Sequence, residues 1–243
     1  MGQMNAGYGS ELHLLRMLGR HRQRFDRQVL AATDADAVEW LDFPSGGGDD
    51  DGDRAPVWDR EWQHLNFLRE GTPAKVAWAA AWPTHRTGPN WDAIGQLTYQ
   101  RGPTEWFLVE AKANIEELGS ACQATDPNSL SLIEKTIAAT KVALGVPNAH
   151  NWMSGYYQHC NRLAALHILN TNQSPARLAY IYFCGDHGGV ENGRTRTCPA
   201  SVSGWKDSLR KQEEHVGLPP GHPLENRMHK LFVDTRCLET AKA

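Results

Sequence analysis

Apolar residues recur at roughly helical spacing from Leu14 and Leu15 through Leu18, Phe25, Val29 and Leu30. The run predicts one long helix from Ser10 to about Ala32. Ser10 would be its N-cap, and Glu11 would sit in the first turn, where a carboxylate suits the helix dipole. The opposite face is basic: Arg16, Arg20, Arg22, Arg24 and Arg27 stand against Asp26 alone. Residues 44–57 read as a flexible loop, because Pro44, three successive glycines, a run of aspartates and Pro56 cannot form a packed element. Residues 58–69 read as a short helix, with Trp62, Leu65 and Leu68 on one side.

The pattern then changes. Residues 75–82 are apolar and strand-like, and Pro83 stops them. Two further strands are expected at 91–98 and 105–113, with Gly102 and Pro103 marking the turn between them. The second contains the continuous apolar run Trp106, Phe107, Leu108 and Val109. Short connections among these three predict an antiparallel meander. Helices follow at 130–144 and 156–169, then a strand at 177–184 that ends at the turn 185–189. A helix at 205–215 and a late edge strand at 229–234 complete the series. The fold class is α/β: a central mixed sheet with a three-strand antiparallel meander, flanked by helices. A single domain spans 1–243, with its core at about 10–185 and a C-terminal extension at 200–243.

Composition narrows the function classes. Hydrophobic residues make up 40% and charged residues 22%, which is ordinary globular usage and argues against wholesale disorder. No stretch approaches the roughly 20 apolar residues of a membrane helix. Residues 1–10 carry no apolar signal-peptide core, so a cytoplasmic protein without membrane contact is expected. Five widely spaced cysteines without a CxxC pair argue against a disulfide framework. Cys184, His187 and Cys198 form a conceivable zinc trio, but paired-ligand spacing is missing. The net charge of −3 does not advertise a nucleic-acid binder; without Asp49, Asp50, Asp51 and Asp53 the balance turns to +1. The sequence holds no HExxH, GxSxG, GxxxxGK[ST] or GxGxxG, which lowers the standing of acyl hydrolases, P-loop NTPases and dinucleotide enzymes.

The informative chemistry lies at the ends of two expected strands. Asp92 opens one, and Glu110 and Lys112 close the next. Side chains two apart on a strand share a face, so Glu110 and Lys112 point together. Hairpin pairing would bring Asp92 alongside Glu110. Two adjacent carboxylates are costly unless a cation sits between them, and Mg²⁺ or Mn²⁺ with oxygen ligands offsets that cost. A lysine beside such an ion can orient or deprotonate water and stabilise charge on a phosphate oxygen. An acid-x-Lys triplet alone arises about once by chance in a chain with 28 acids, so its value rests on this strand context. Asp186 and His187, at the end of a strand, are a weaker candidate pair, since a glycine-flanked Asp is usually a turn former.

With these residues in place, the chain resembles the PD-(D/E)xK nuclease superfamily, over roughly residues 10–185. Asp92 matches the first acid, Glu110 the second and Lys112 the motif lysine, although Trp91 stands where the family's proline would be. The resemblance implies a restriction-endonuclease-like fold and Mg²⁺-dependent (or Mn²⁺-dependent) hydrolysis of nucleic acid, with DNA as the expected substrate. Asp92 and Glu110 would hold the metal, and Lys112 would position or deprotonate water. Glu11 is similar to a helper acid near the metal. Gln158, which shares a helix face with Arg162, is similar to a glutamine used at the site or on the phosphate backbone. Nucleases that cut both strands commonly dimerise, so a homodimer is a further implication. Two alternatives keep the fold: an inactive nucleic-acid-binding or assembly module, and a metal-dependent phosphoesterase of small molecules.

Overall fold

A computed structural model describes residues 8–46, 58–85, 88–187, 189–191 and 194–239. Helices α1 (Ser10–Leu18) and α2 (Arg22–Thr33) open the described chain, followed by strand β1 (Ala37–Trp40) and helix α3 (Pro73–Ala81). Strands β2 (Ala93–Thr98) and β3 (Glu105–Lys112) come next, then helices α4 (Pro127–Leu144) and α5 (Tyr157–Thr171). Strand β4 (Ala176–Cys184), helix α6 (Val202–Val216) and strand β5 (Met228–Asp234) follow. The five strands form one sheet in the order β1-β2-β3-β4-β5. β2 pairs antiparallel with both β1 and β3, whereas β3, β4 and β5 are mutually parallel, so the sheet is mixed. Parallel neighbours need long crossovers, which α4 and α5 supply before β4 and α6 supplies before β5.

Alternation along β3 assigns the layers. Phe107, Val109 and Ala111 pack with Leu14, Met17, Phe25 and Val29, so α1 and α2 cover that face. Leu108 packs on the other face with Ile94, Tyr180 and Tyr182 and with apolar residues of α3, α4, α5 and α6. Glu110 and Lys112 share the parity of Leu108 and lie where the second face meets the end of the strand.

Several expectations change. The expected single helix over residues 10–32 is two, broken at Gly19, where the cost of ordering a glycine is greatest. Gly9, not Ser10, is the N-cap of α1. Of residues 75–82, expected as a strand, 75–81 are helical and Trp82 is the C-cap: Pro73 stands at the helix start, and alanines recur through α3. Ala74 and Trp78, four apart, bury one face, and Trp78 stacks on Trp82 with ring centroids 4.8 Å apart. The antiparallel partner of β2 on the side away from β3 is therefore β1, and the chain reaches β2 from β1 through residues 41–92 rather than through a short turn. Residues 58–69 hold two short strands and turns instead of a helix; Trp62–Gln63 pairs with Asn90–Trp91. Most of the loop read at 44–57 lies outside the described residues, including Asp49, Asp50, Asp51 and Asp53, and so do residues 1–7. Among the described residues no helix is long and apolar enough to cross a membrane.

Candidate active site

The antiparallel register of β2 and β3 sets Ala93 opposite Val109, which brings Asp92 to the end of β3 that carries Glu110 and Lys112. Two hydrogen bonds fix it there. Its backbone N–H donates to Val109 O at 3.0 Å, and Ala111 N donates to Asp92 Oδ2 at 2.6 Å. Glu110 is buried, at 3% exposure. Lys112 Nζ donates to Glu110 Oε1 at 2.6 Å and to Gln158 Oε1 at 3.1 Å. Arg162, one helical turn beyond Gln158, donates to Glu110 Oε2 from Nε at 3.0 Å and Nη2 at 2.9 Å. The crossover between β3 and β4 delivers α5 to this point. Ser120 secures its first turn, accepting from Tyr157 N through its carbonyl and from Gln158 N through Oγ. Asp92, Glu110, Lys112, Gln158 and Arg162 then line one cleft of about 690 Å³.

Charge is shared unevenly. Burial and the adjacent Glu110 hold the Asp92 carboxyl well above the usual carboxylate range, although Lys112 and the Ala111 N–H pull it down. Burial also pushes Glu110 up, but Arg162 and Lys112 outweigh it, and its pKa lies below the ordinary value. For Lys112, burial pulls down while Glu110 and Asp92 prevail, so the ammonium is held above its ordinary value. Asp92 and Glu110 are two carboxylates at one cleft, which is what a divalent cation of the Mg²⁺ kind needs: it binds through one or two carboxylates and keeps water and phosphate oxygens in its remaining positions. Two carboxylates do not make a closed protein cage. Among the described residues no group of three His, Cys, Asp or Glu side chains is arranged to hold a metal ion, and the trio Cys184, His187 and Cys198 is not one.

Glu11 is not brought to the cleft. It lies exposed on α1, while its neighbour Ser10 is the lining residue. The expectation that Glu11 joins Asp92 and Glu110 at a metal fails for a rotational reason: α1 turns His13, Leu14 and Met17 inward and Glu11 outward. The carboxylate found near Ser10 is Glu117, which the sequence reading missed. It accepts from Ala113 N at 2.9 Å and from Asn114 Nδ2 at 2.6 Å, while its own N–H donates to Asn114 Oδ1. The spacing Asn114-x-x-Glu117 is a capping-box pattern, a signal available in the sequence. Burial raises the Glu117 carboxyl above its usual value.

The lining residues include five carboxylates, Glu61, Asp92, Glu110, Glu117 and Asp126, against the cations Lys112 and Arg162. The arginine-rich α1–α2 segment belongs to the other layer of the sheet. Asp186 does not join the cleft. It is buried beyond β4, where it accepts from His13 Nε2 at 2.8 Å, Arg196 Nη2 at 2.9 Å and Gly9 N at 3.1 Å. It ties the start of α1 to the end of β4. No family model, curated protein or solved structure matches the chain.

Proposed function

We propose that the protein is a divalent-metal-dependent nuclease that hydrolyses phosphodiester bonds of DNA, on a restriction-endonuclease-like core. One observation carries this reading: Asp92 and Glu110 meet at adjoining ends of an antiparallel strand pair, with the Lys112 ammonium on Glu110 and an open cleft in front. Asp92 and Glu110 would hold Mg²⁺ or Mn²⁺, which polarises a phosphate and acidifies bound water. Lys112, kept cationic by two carboxylates, acts as a donor: it orients water and offsets charge that builds on a phosphate oxygen. The expectation that Lys112 removes a proton from water is the less favoured half of its role. Gln158 steers the ammonium from α5. Glu117, not Glu11, is the carboxylate that lines the cleft near Ser10, alongside Glu61 and Asp126.

A second reading, hydrolysis of a small phosphoester, has one observation in its favour. Five lining carboxylates against two cations make a poor surface for a long polyanion. Both readings are tested by incubating the purified full chain with duplex DNA, single-stranded DNA, RNA and a panel of nucleotides, in Mg²⁺, Mn²⁺ or EDTA. The nuclease reading expects metal-dependent cleavage of DNA that is lost in Asp92→Asn. Turnover of nucleotides alone transfers the site to small substrates. Cleavage that persists in EDTA or in Asp92→Asn overturns both.

A further inference from the structure

Arg162 commits its whole guanidinium to the interior, at 3% exposure. Nε and Nη2 both donate to Glu110 Oε2. Nη2 also donates to the Asn90 carbonyl at 2.6 Å, and Nη1 donates to Asn161 Oδ1 at 2.8 Å. The cation lies 5.4 Å from the centroid of the Trp91 ring. One side chain therefore grips both segments that carry the acids: Glu110 directly, and Asp92 through the two residues before it.

The count of lone pairs gives this grip a consequence. A carboxylate offers about four acceptor positions, two on each oxygen. Arg162 fills both on Glu110 Oε2, and Lys112 fills one on Oε1. Among the described residues, the position left open lies on Oε1. Asp92 is held likewise, with Oδ2 accepting from Ala111 N.

We infer that Arg162 is a positioning residue that leaves only Oε1 of Glu110 to face a cation and holds Asn90, and with it Asp92, at the matching distance. This rests on the metal-dependent reading above. The rival role is a fixed positive charge that merely balances Glu110. The two differ in what a lysine can replace. Lysine keeps the charge but cannot make the forked contact with Oε2 while also reaching Asn90.

The test is Mn²⁺ binding to the full chain without substrate, followed by electron paramagnetic resonance of the free ion. Wild type is first compared with Glu110→Gln. If both bind alike, or neither binds, the metal reading itself fails, whatever Arg162 does. If Glu110→Gln weakens binding, Arg162→Lys decides the inference. Positioning expects affinity to fall about 10–100-fold, the usual loss when a partner of a metal ligand is changed. Charge balance expects wild-type affinity and overturns the proposal. Asn161→Ala leaves Arg162 and its charge in place but releases Nη1, and positioning expects a smaller loss of affinity. It decides the matter if Arg162→Lys does not fold, which melting in EDTA reports separately; unchanged affinity there overturns the proposal as well.

Discussion

Lys112 reaches back along its own strand to Glu110, Nζ to Oε1 across 2.6 Å, so that the two form one charged unit on one face of β3. The contact leaves the ammonium beside the cleft instead of in solvent, and Gln158 fixes its direction from α5.

Lys112→Met removes that ammonium and keeps most of the stem. Arg162 still pairs with Glu110, so the fold should persist. Cleavage is expected to fall about 10²–10³-fold, the usual loss when a donor aimed at developing charge is removed. Circular dichroism checks the fold, and steady-state cleavage checks the rate. An unchanged rate removes Lys112 from the chemistry.

Glu105 marks the other end of β3. It accepts from Arg177 Nε at 2.5 Å, from Arg227 and from Tyr99 Oη. Burial raises its pKa, but the two arginines outweigh burial and leave it below the ordinary value. Asp186 is lowered in the same way, with His13 and Arg196 overcoming burial. Because the folded values lie below the unfolded ones, their stabilisation is complete above the ordinary carboxylate pKa and is lost as pH falls through the folded values. Melting temperatures taken from pH 5 down to 3 should drop steeply in wild type and less steeply in Glu105→Gln. Parallel curves would contradict the account.

His159 acts in a different window. Its ring stacks on Tyr180 at 4.9 Å between centroids. Burial first, then the cations Lys230, Arg162 and Lys112, push its pKa down to about 3 from an ordinary 6.5, although Glu110 pulls the other way. The unfolded chain therefore binds a proton that the folded chain refuses. Stability present above pH 6.5 is lost progressively from there down toward 3. Burial lowers His167, His222 and His229 in the same sense. The slope of melting temperature between pH 6.5 and 5 should be shallower in His159→Gln than in wild type; identical slopes refute the assignment.

Trp78→Ala should cost about 3–5 kcal/mol, the range for deleting a buried aromatic ring. The ring is fully buried, stacks on Trp82 and donates through Nε1 to His64 Nδ1 at 3.3 Å. Urea unfolding measures the loss. A change below about 1 kcal/mol would show that α3 does not pack as described.

The parts of this site that were legible in the sequence are those where local signals agree. β3 combines a long apolar run, aromatic residues and an acid-x-Lys end, and all three point to a buried strand with chemistry at its tip. Gln158 and Arg162 share a face because they stand four apart on a helix, which needs no tertiary knowledge. The apolar density of α3 reads as a strand, but its alanines and its leading proline favour the helix it forms. Its solvent side also carries Val76 at 58% exposure, so no clean polar stripe announces a helix. Glu11 shows the opposite failure. A first-turn acid is explained by the helix dipole alone, and nothing local tells which way the helix is rotated against the sheet. What Arg162 holds was beyond local reading, since Asn90 lies 72 residues away and Glu110 lies 52 away.

The central claim is that Asp92 and Glu110 share a divalent cation. A crystal of the full chain soaked in Mn²⁺, read by anomalous difference density, tests it most directly. The account predicts a peak within about 2.0–2.3 Å of an oxygen of each carboxylate, with Glu110 contributing Oε1 and Lys112 alongside. Absence of a peak between the two carboxylates from a well-ordered crystal, or a peak bound through Glu110 Oε2 in place of Arg162, would contradict it.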